Sequence, residues 1–141
     1  DEHDKIIGEH NGSTLYTIGQ RQGLQIGGIK DKDELPWYVF KKDILKNYIY
    51  VCQGVNNKLL FSQGLECDSI SWINEDYNDD CIECMIQIRH QHNPVKCQVK
   101  FLDDKYIVEF NEPIRGVAPG QSAVFYMKNI CMGGGVISKA F

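Results

Sequence analysis

This 141-residue sequence contains two cysteines spaced as C-x-x-C, a spacing that occurs in redox and metal sites. Cys81 and Cys84 have the spacing of a redox pair or of half a zinc site. A structural zinc site needs two more ligands, whereas Cys97 and Cys131 are isolated in the sequence. If this segment forms a β-strand, positions 81 and 84 point to opposite faces. Two ordinary thiols with no metal are therefore expected, with a zinc site or a redox pair as the alternatives.

Polar clusters in two other places could bind a nucleic acid. Residues 89–93 read Arg-His-Gln-His-Asn and follow an apolar, alternating segment. Arginine pairs with phosphate or stacks on a base, and histidine stacks or hydrogen bonds. Residues 20–22 read Gln-Arg-Gln within a glycine-rich segment. The alternatives are a solvated loop for the first cluster and, for the second, a helix face on which Arg21 pairs with a nearby acid.

Glycine marks two further features near the C-terminus. Pro119 and Gly120 predict a stiff, tight turn, because proline fixes one backbone angle and glycine supplies a positive φ. This corner places the polar Gln121 and Ser122 at the mouth of a sheet. Residues 133–135 are all glycine and look like a phosphate cradle, but no helix follows to supply a dipole. A β-bulge or a close crossing of two strands is expected there instead.

The elements that must position these residues are mostly β-strands. Segments with apolar residues at every second position are typical of half-buried antiparallel strands. In residues 82–89 the isoleucines and the cysteine occupy the even positions, and the Asp103-Asp104 pair predicts a hairpin turn between two later strands. The predicted strands are residues 37–40, 48–51, 82–89, 95–101, 106–110, 123–126 and 130–137.

One helix is predicted, over residues 14–22, with Ser13 as its N-cap and Gly23 as its stop. A change in pattern divides the chain into two domains. The predicted fold class is mainly β. A small β-rich domain over residues 1–62 is followed by a C-terminal antiparallel β-barrel of about six strands over residues 63–141.

The composition favours a packed cytoplasmic domain and disfavours a free-standing nucleic-acid module. Hydrophobic residues make up 43% and charged residues 24% of the chain, which predicts a folded core. No apolar run approaches the roughly 20 residues of a membrane span, and no signal peptide opens the sequence. The six cysteines are expected to be buried free thiols in a reducing compartment. The net charge of −4, with four acids in residues 75–80, requires any RNA contact to come from a local patch.

Several stretches, in one order from residue 8 to the C-terminus, together resemble a known family. They are G-E-H-N-G at residues 8–12, Y-T-I-G-Q-R-Q-G-L at 16–24, P-W-Y-V at 36–39, Arg-His at 89–90, V-A-P-G-Q-S-A-V-F-Y at 117–126 and C-M-G-G-G-V-I at 131–137. Each stretch alone is modest, but the ordered set is specific. On these residues the chain resembles the tRNA-specific 2-thiouridylases over essentially its whole length.

The resemblance implies a role inside a larger enzyme. In the family an N-terminal ATP-pyrophosphatase domain precedes a central, tRNA-contacting domain and a C-terminal β-barrel, which correspond here to residues 1–62 and 63–141. ATP with Mg adenylates C2 of the wobble uridine, and a cysteine persulfide then delivers sulfur. The family's S-G-G-x-D-S loop is absent from this sequence, and no cysteine here matches a catalytic one. The chain, which starts without Met, is thus expected to be an inactive fragment with no cofactor of its own.

The tRNA contacts of the family map onto Arg89, His90 and Gln121, with Gln20 and Arg21 as additional candidates. Many members have Arg-Tyr where this chain has Arg89-His90, so a planar ring is kept while the phenol is lost. The implied partners are tRNA, the protein's own N-terminal ATP-pyrophosphatase domain and a sulfur-relay donor, in a monomeric enzyme. The alternative is a metal-stabilised or protein-docking β-barrel module without direct RNA contact.

Overall fold

A computed structural model of the protein describes residues 1–27, 34–74, 80–90 and 92–141, so that Gln91 and residues 75–79 of the acidic run lie outside it. The described residues form two compact units, residues 1–61 and 62–141. Their elements are 3-10 helices at Ser13–Leu15 and Lys58–Leu60 and the strands β1 (Trp37–Asp43), β2 (Tyr48–Gln53), β3 (Phe61–Trp72), β4 (Cys81–Gln87), β5 (Val95–Leu102), β6 (Lys105–Arg115), β7 (Ser122–Met127) and β8 (Ile130–Ala140). Neither helix of this described part has the length and apolar content to cross a lipid bilayer.

The first unit is built on one antiparallel pair of strands. β1 and β2 pair with Trp37 opposite Gln53 and Val39 opposite Val51. The side chains of Trp37, Val39 and Val51 form a small buried cluster with Leu24. Aromatic and β-branched residues suit a pleated, half-buried surface, which is why these short segments form strands. Both strands predicted in this part of the sequence are confirmed.

The prediction of a helix over residues 14–22 is wrong. The structure has only a 3-10 turn at Ser13–Leu15, and Ser13 lies inside this turn instead of capping it. Gly19 then adopts a φ of 85°, and its N–H donates to the carbonyl oxygen of Val39 at 2.7 Å. Backbone hydrogen bonds to the edge of β1 thus replace the bonds between successive turns that would hold a helix together.

The second unit is a closed antiparallel β-barrel with the strand order β3-β6-β5-β4-β7-β8. Its interior is filled by the inward-facing members of alternating strands. In β4, for example, Ile82, Cys84 and Ile86 are buried while Cys81 and Glu83 are exposed. The predicted fold class is therefore confirmed: the chain is mainly β, with a six-stranded antiparallel barrel and a small two-stranded sheet.

β3 is the barrel strand that the sequence pattern fails to predict. Its pairing with β8 changes register between Glu66 and Cys67 and again between Cys67 and Ile70. Leu65 and Cys67 are buried, but the next buried residue is Ile70, three positions further on. A bulge adds a residue to one strand of a pair and so interrupts the two-residue period. The alternation that reveals β4 is therefore absent from β3.

Residues 133–135 pair with β3 at very short distance beside irregularities of the register, so of the two predicted alternatives the structure has the β-bulge and not a crossing. A Cβ at Gly133 would collide with the carbonyl oxygen of Ser71, and a Cβ at Gly135 would collide with that of Ser69. The register between β7 and β8 also shifts beside Gly133. Glycine is required here because β8 lies against the backbone of β3 with no room for a side chain.

We expect Gly135→Ala to lower the free energy of unfolding of the barrel by about 2–3 kcal/mol, because the added methyl forces β8 away from the Ser69 carbonyl. Urea denaturation followed by tryptophan fluorescence measures this change. Val136→Ala is the matched control, because its side chain is 61% exposed and its truncation should cost less than about 1 kcal/mol. Equal losses in the two variants would show that the close pairing of β8 with β3 imposes no steric constraint.

Candidate functional site

One end of the barrel brings together two of the predicted polar segments. β4 ends at Gln87 and β7 begins at Ser122, and these two strands pair side by side. Because they are antiparallel, the loop that follows β4 and the loop that precedes β7 emerge at the same end. We name the surface of these loops, residues 88–90, 92–94 and 116–121, the Arg89 rim.

Arg89 joins the two loops of the rim. Its side chain is half-buried, and its Nη2 donates a hydrogen bond of 2.7 Å to the carbonyl oxygen of Gly116. Gly116 belongs to the same loop as Gln121, so the structure brings the two predicted segments together. A guanidinium is planar, and anchoring one nitrogen therefore limits the directions in which the whole charged group can point. His90, the next residue, is exposed.

Gln121 closes the turn at the Pro-Gly corner. Its Oε1 accepts a hydrogen bond from the N–H of Ala118 at 3.0 Å, and its own N–H donates to the carbonyl of Ala118 at 3.3 Å. Gly120 has a φ of 86°, which the third residue of a type II turn requires. The predicted stiff turn is confirmed. The oxygen of the half-buried Gln121 amide thus closes the turn, and its Nε2 carries two N–H donors.

Gln87 and Tyr126 support the rim, and sequence reasoning misses both. The Nε2 of Gln87 donates to the carbonyl oxygens of His90 (3.2 Å) and His92 (2.8 Å), and its Oε1 accepts from the Tyr126 hydroxyl at 3.3 Å. The alternating pattern of β4 identifies Gln87 only as an outward-facing residue. The one available signal is its position, since a long amide at the last residue of a strand can reach the backbone of the following loop.

Gln20 and Arg21 lie in the first unit, on the turn before β1. The Oε1 of Gln20 accepts from the N–H of Thr17 at 2.8 Å, and its Nε2 donates to the carbonyl of Gln22 at 2.8 Å. Arg21 is exposed on the same turn. Gln20 therefore shapes the turn, and Arg21 is the member of this pair that extends into solvent.

Cys81 and Cys84 do not converge. Cys81 is exposed and Cys84 is buried, on opposite faces of β4 as strand geometry predicts. Cys84 instead faces its register partner Cys97 on β5, with the two sulfur atoms 3.6 Å apart. Within the described ranges, no group of three or more His, Cys, Asp or Glu residues could hold a metal ion. The C-x-x-C spacing thus brings no two thiols together, and it lends no support to a metal-stabilised barrel.

Three of the buried thiols, those of Cys67, Cys84 and Cys97, have shifted pKa values. The hydrogen bond from Cys97 lowers the pKa of Cys84, while the same bond, together with burial, raises the pKa of Cys97. Burial, with a smaller effect from the charge of Asp68, raises the pKa of Cys67 to about 11. All six cysteines are free, but the expectation that they are buried is only partly correct. The buried cysteines are Cys52, Cys67, Cys84 and Cys97, and the exposed ones are Cys81 and Cys131.

Most lysines of the barrel are paired with acids. Lys139 and Lys105 contact Glu66 at 3.1 and 3.6 Å, and Lys100 contacts Glu109 at 2.9 Å. The hydrogen bond from Lys139 lowers the pKa of Glu66, and the hydrogen bond to Glu109 raises the pKa of Lys100. These pairs offset three of the seven lysines and arginines in residues 62–141. The Arg89 rim carries a further cation of the barrel, the guanidinium of Arg89.

The Arg89 rim carries groups that suit binding of a nucleic acid. It presents the guanidinium of Arg89, the imidazoles of His90 and His92, and the carboxamide of Gln121. Guanidinium and amide donors bind phosphate oxygens, and planar rings stack on unpaired bases. The loops that carry these groups are fixed to a rigid barrel, which is the usual arrangement for a binding surface.

Comparison with known proteins covers both units. Residues 62–137 match the family model described as the aminomethyltransferase beta-barrel domain, and residues 1–53 match the tRNA methyl transferase PRC-barrel domain. A tRNA-specific 2-thiouridylase of Tolumonas auensis is 44% identical over 138 residues, which are 97% of this chain and 37% of that protein. One of Buchnera aphidicola subsp. Acyrthosiphon pisum is 46% identical over 134 residues, 94% of this chain and 36% of that protein.

The chain belongs to the tRNA-specific 2-thiouridylase family. A further relative, from Francisella tularensis subsp. novicida, is 43% identical over 138 residues, 97% of this chain and 38% of that protein. The chain thus spans little more than a third of the length of these relatives. The resemblance drawn from the sequence is confirmed. All five tRNA-binding candidates lie within the residues that the two family models match, and their individual roles remain predictions.

We expect a thiol reagent such as DTNB, at a pH of about 8, to modify two cysteines of the folded chain rapidly and four slowly. Cys81 and Cys131 are exposed, whereas the other four thiols are shielded from the reagent by the barrel or by the first unit. Absorbance at the reagent's product band gives the count, and guanidinium chloride should make all six react. A rapid phase that survives in the Cys81→Ser, Cys131→Ser double variant would contradict the burial of the other four.

Proposed function

We propose that this chain binds and orients tRNA for 2-thiolation of the wobble uridine by a longer parent enzyme. The observation that carries the proposal is the match of 94–97% of the chain to proteins named tRNA-specific 2-thiouridylase. Because the chain spans only 36–37% of those two proteins, the proposal assigns catalysis to the part of the parent that this chain does not contain. Sequence motifs, fold and family membership all support this assignment.

The Arg89 rim is the tRNA-binding surface in this proposal. Its support is geometric: Arg89 is anchored on Gly116, and Gln121 is anchored on Ala118, so both polar groups are oriented before RNA arrives. A group that is already held in place loses less conformational freedom on binding. His90 is exposed and can stack on a base without rearranging the barrel. Arg21, on the turn of the first unit, is an additional contact.

The acidic balance of the barrel makes binding by the chain alone weak and dependent on salt. Residues 62–141 hold seven lysines and arginines against eleven aspartates and glutamates. Affinity for nucleic acids comes largely from neutralised phosphates, and each such contact adds to the salt dependence. The rim therefore supplies orientation, and the parent enzyme supplies the remaining affinity.

Catalysis belongs to the parent. The proposal places ATP with Mg and the attacking cysteines in an N-terminal ATP-pyrophosphatase domain, and sulfur comes as a persulfide from a sulfur-relay donor protein. The present chain contributes no catalytic residue and no cofactor site. The proposal also takes the parent enzyme to be monomeric and cytoplasmic. Six free cysteines fit a cytoplasmic location, because the cytosol keeps thiols reduced.

We expect the 141-residue chain to form no 2-thiouridine when it is incubated with ATP, Mg, a persulfide donor and an unmodified tRNA transcript. The reason is that the S-G-G-x-D-S loop, which would hold the nucleotide, does not occur in the sequence. Nucleoside analysis by mass spectrometry measures the product, and the full-length relative from Tolumonas auensis serves as the positive control. Any 2-thiouridine made by the chain alone would refute its assignment as an inactive tRNA-holding part.

We expect Arg89→Lys, His90→Ala and Gln121→Ala each to weaken tRNA binding by about 1–3 kcal/mol, because each removes one contact to phosphate or base. Arg89→Lys keeps the charge and removes the planar fork. Fluorescence anisotropy with a labelled tRNA transcript at low salt measures the affinity. The control is Lys100→Ala, which removes a partly exposed lysine already paired with Glu109 and should change the affinity little. Unchanged affinity in all three rim variants would refute the contact assignment.

A protein-docking barrel is the second candidate, and one observation favours it. Ile73, Leu102 and Ile130 are 65%, 55% and 69% exposed. They lie where β3 and β5 end and β8 begins, which is the opposite end of the barrel from the Arg89 rim. If the rim variants bind tRNA normally while Leu102→Glu abolishes binding of the persulfide-carrying protein, the docking function replaces the tRNA-binding one.

A further inference from the structure

Gln87 is the last residue of β4, and its side chain is turned toward the loop that follows. Its Nε2 lies 3.2 Å from the carbonyl oxygen of His90 and 2.8 Å from that of His92. Among the described residues of the same loop, the N–H of His92 donates to the carbonyl oxygen of Arg89 at 2.9 Å. The two N–H donors of the Gln87 amide therefore hold the backbone of the loop that carries Arg89 and His90.

The orientation of this amide is determined by its surroundings. Both loop partners are carbonyl oxygens, which can only accept, so the Nε2 of Gln87 must face the loop. The Oε1 is then on the other side, where the hydroxyl of Tyr126 donates to it at 3.3 Å. Rotating the amide by half a turn would set its oxygen against two carbonyl oxygens. Tyr126 lies on β7, the strand that follows the other loop of the rim, so its hydroxyl connects Gln87 to this neighbouring strand.

We propose that Gln87 is a positioning residue that preorganises the Arg89 rim for tRNA, and that Tyr126 holds its amide in the working orientation. The inference rests on the proposed tRNA-binding function and deepens it. Gln87 need not touch RNA. Its effect on affinity passes through His90, whose backbone it holds and whose side chain is exposed to the RNA.

Gln98 on β5 provides a matched control within the barrel. Like Gln87 it is a half-buried glutamine on the outer face of a strand, but its Nε2 donates to the carboxylate of Glu83 at 3.3 Å and not to the rim. Gln87→Met and Gln98→Met make the same change of shape and polarity, and neither alters the net charge. A difference between the two variants therefore reports the contacts with the loop.

Two measurements on the 141-residue chain test the proposal. In the first, amide hydrogen exchange by NMR should show that the His92 N–H exchanges about fivefold or more faster in Gln87→Met than in Gln98→Met, because the loop loses two hydrogen bonds. In the second, an unmodified tRNA transcript with a wobble uridine should bind Gln87→Met about three- to tenfold more weakly, with Gln98→Met unchanged. Tyr126→Phe, which removes only the hydroxyl, should show a smaller loss of the same kind.

A double-mutant cycle with His90→Ala separates positioning from general stability. If Gln87 acts through His90, Gln87→Met should cause less additional loss of affinity once His90 has been removed. A loss of the same size in both backgrounds would overturn the proposal, as would unchanged exchange at His92. If His90→Ala and Arg89→Lys weaken binding but Gln87→Met does not, the positioning role is refuted and the proposed tRNA-binding function is kept. If none of these variants changes the affinity for tRNA, the positioning role and the tRNA-binding role of the rim are both refuted.

Discussion

The barrel depends on one close approach between backbones, where β8 pairs with β3. At Gly133 and Gly135 the carbonyl oxygens of Ser71 and Ser69 occupy the space that a Cβ would need. The pairing of β8 with β3 closes the barrel, so every strand has a neighbour on both sides and no edge is exposed. It also holds β7 between β4 and β8. The two loops of the Arg89 rim, distant in the sequence, are neighbours only because these strands are.

The rim residues serve the fold and the proposed binding function with the same side chains. Arg89 joins two loops through Gly116, and Gln121 closes its turn through Ala118. Binding groups that are already fixed can contact RNA at a low entropic cost. Because Arg89 also joins the two loops, truncating its side chain disturbs the loops as well as removing the charge. Conservative substitutions that keep one of these two roles are therefore needed to separate them.

The alternation of apolar and polar residues predicts those strands of this fold that pair without irregularities. β4 and β5 are predictable because no bulge interrupts their alternation, whereas the register shifts of β3 erase the same signal. The helix prediction fails near Gly19 because that segment forms its hydrogen bonds with β1, a partner distant in sequence. The residue types of Arg89 and His90 are enough to identify them as candidate binding side chains from the sequence. The role of Gln87 cannot be identified in this way, because its partners are loop carbonyls whose positions no residue type specifies.

In the proposed function, an acidic chain holds tRNA through a local patch of oriented donors. The barrel pairs Lys100, Lys105 and Lys139 with glutamates along its strands, and the Nη2 of Arg89 donates to the carbonyl oxygen of Gly116. This hydrogen bond limits the directions in which the guanidinium can point. Salt screens exposed charges that are farther apart than the Debye length of about 8 Å at physiological ionic strength, so short-range contacts determine the position of a bound RNA. In the proposal, the net charge of the chain limits the overall strength of binding, and the geometry of a few anchored side chains determines where the RNA lies.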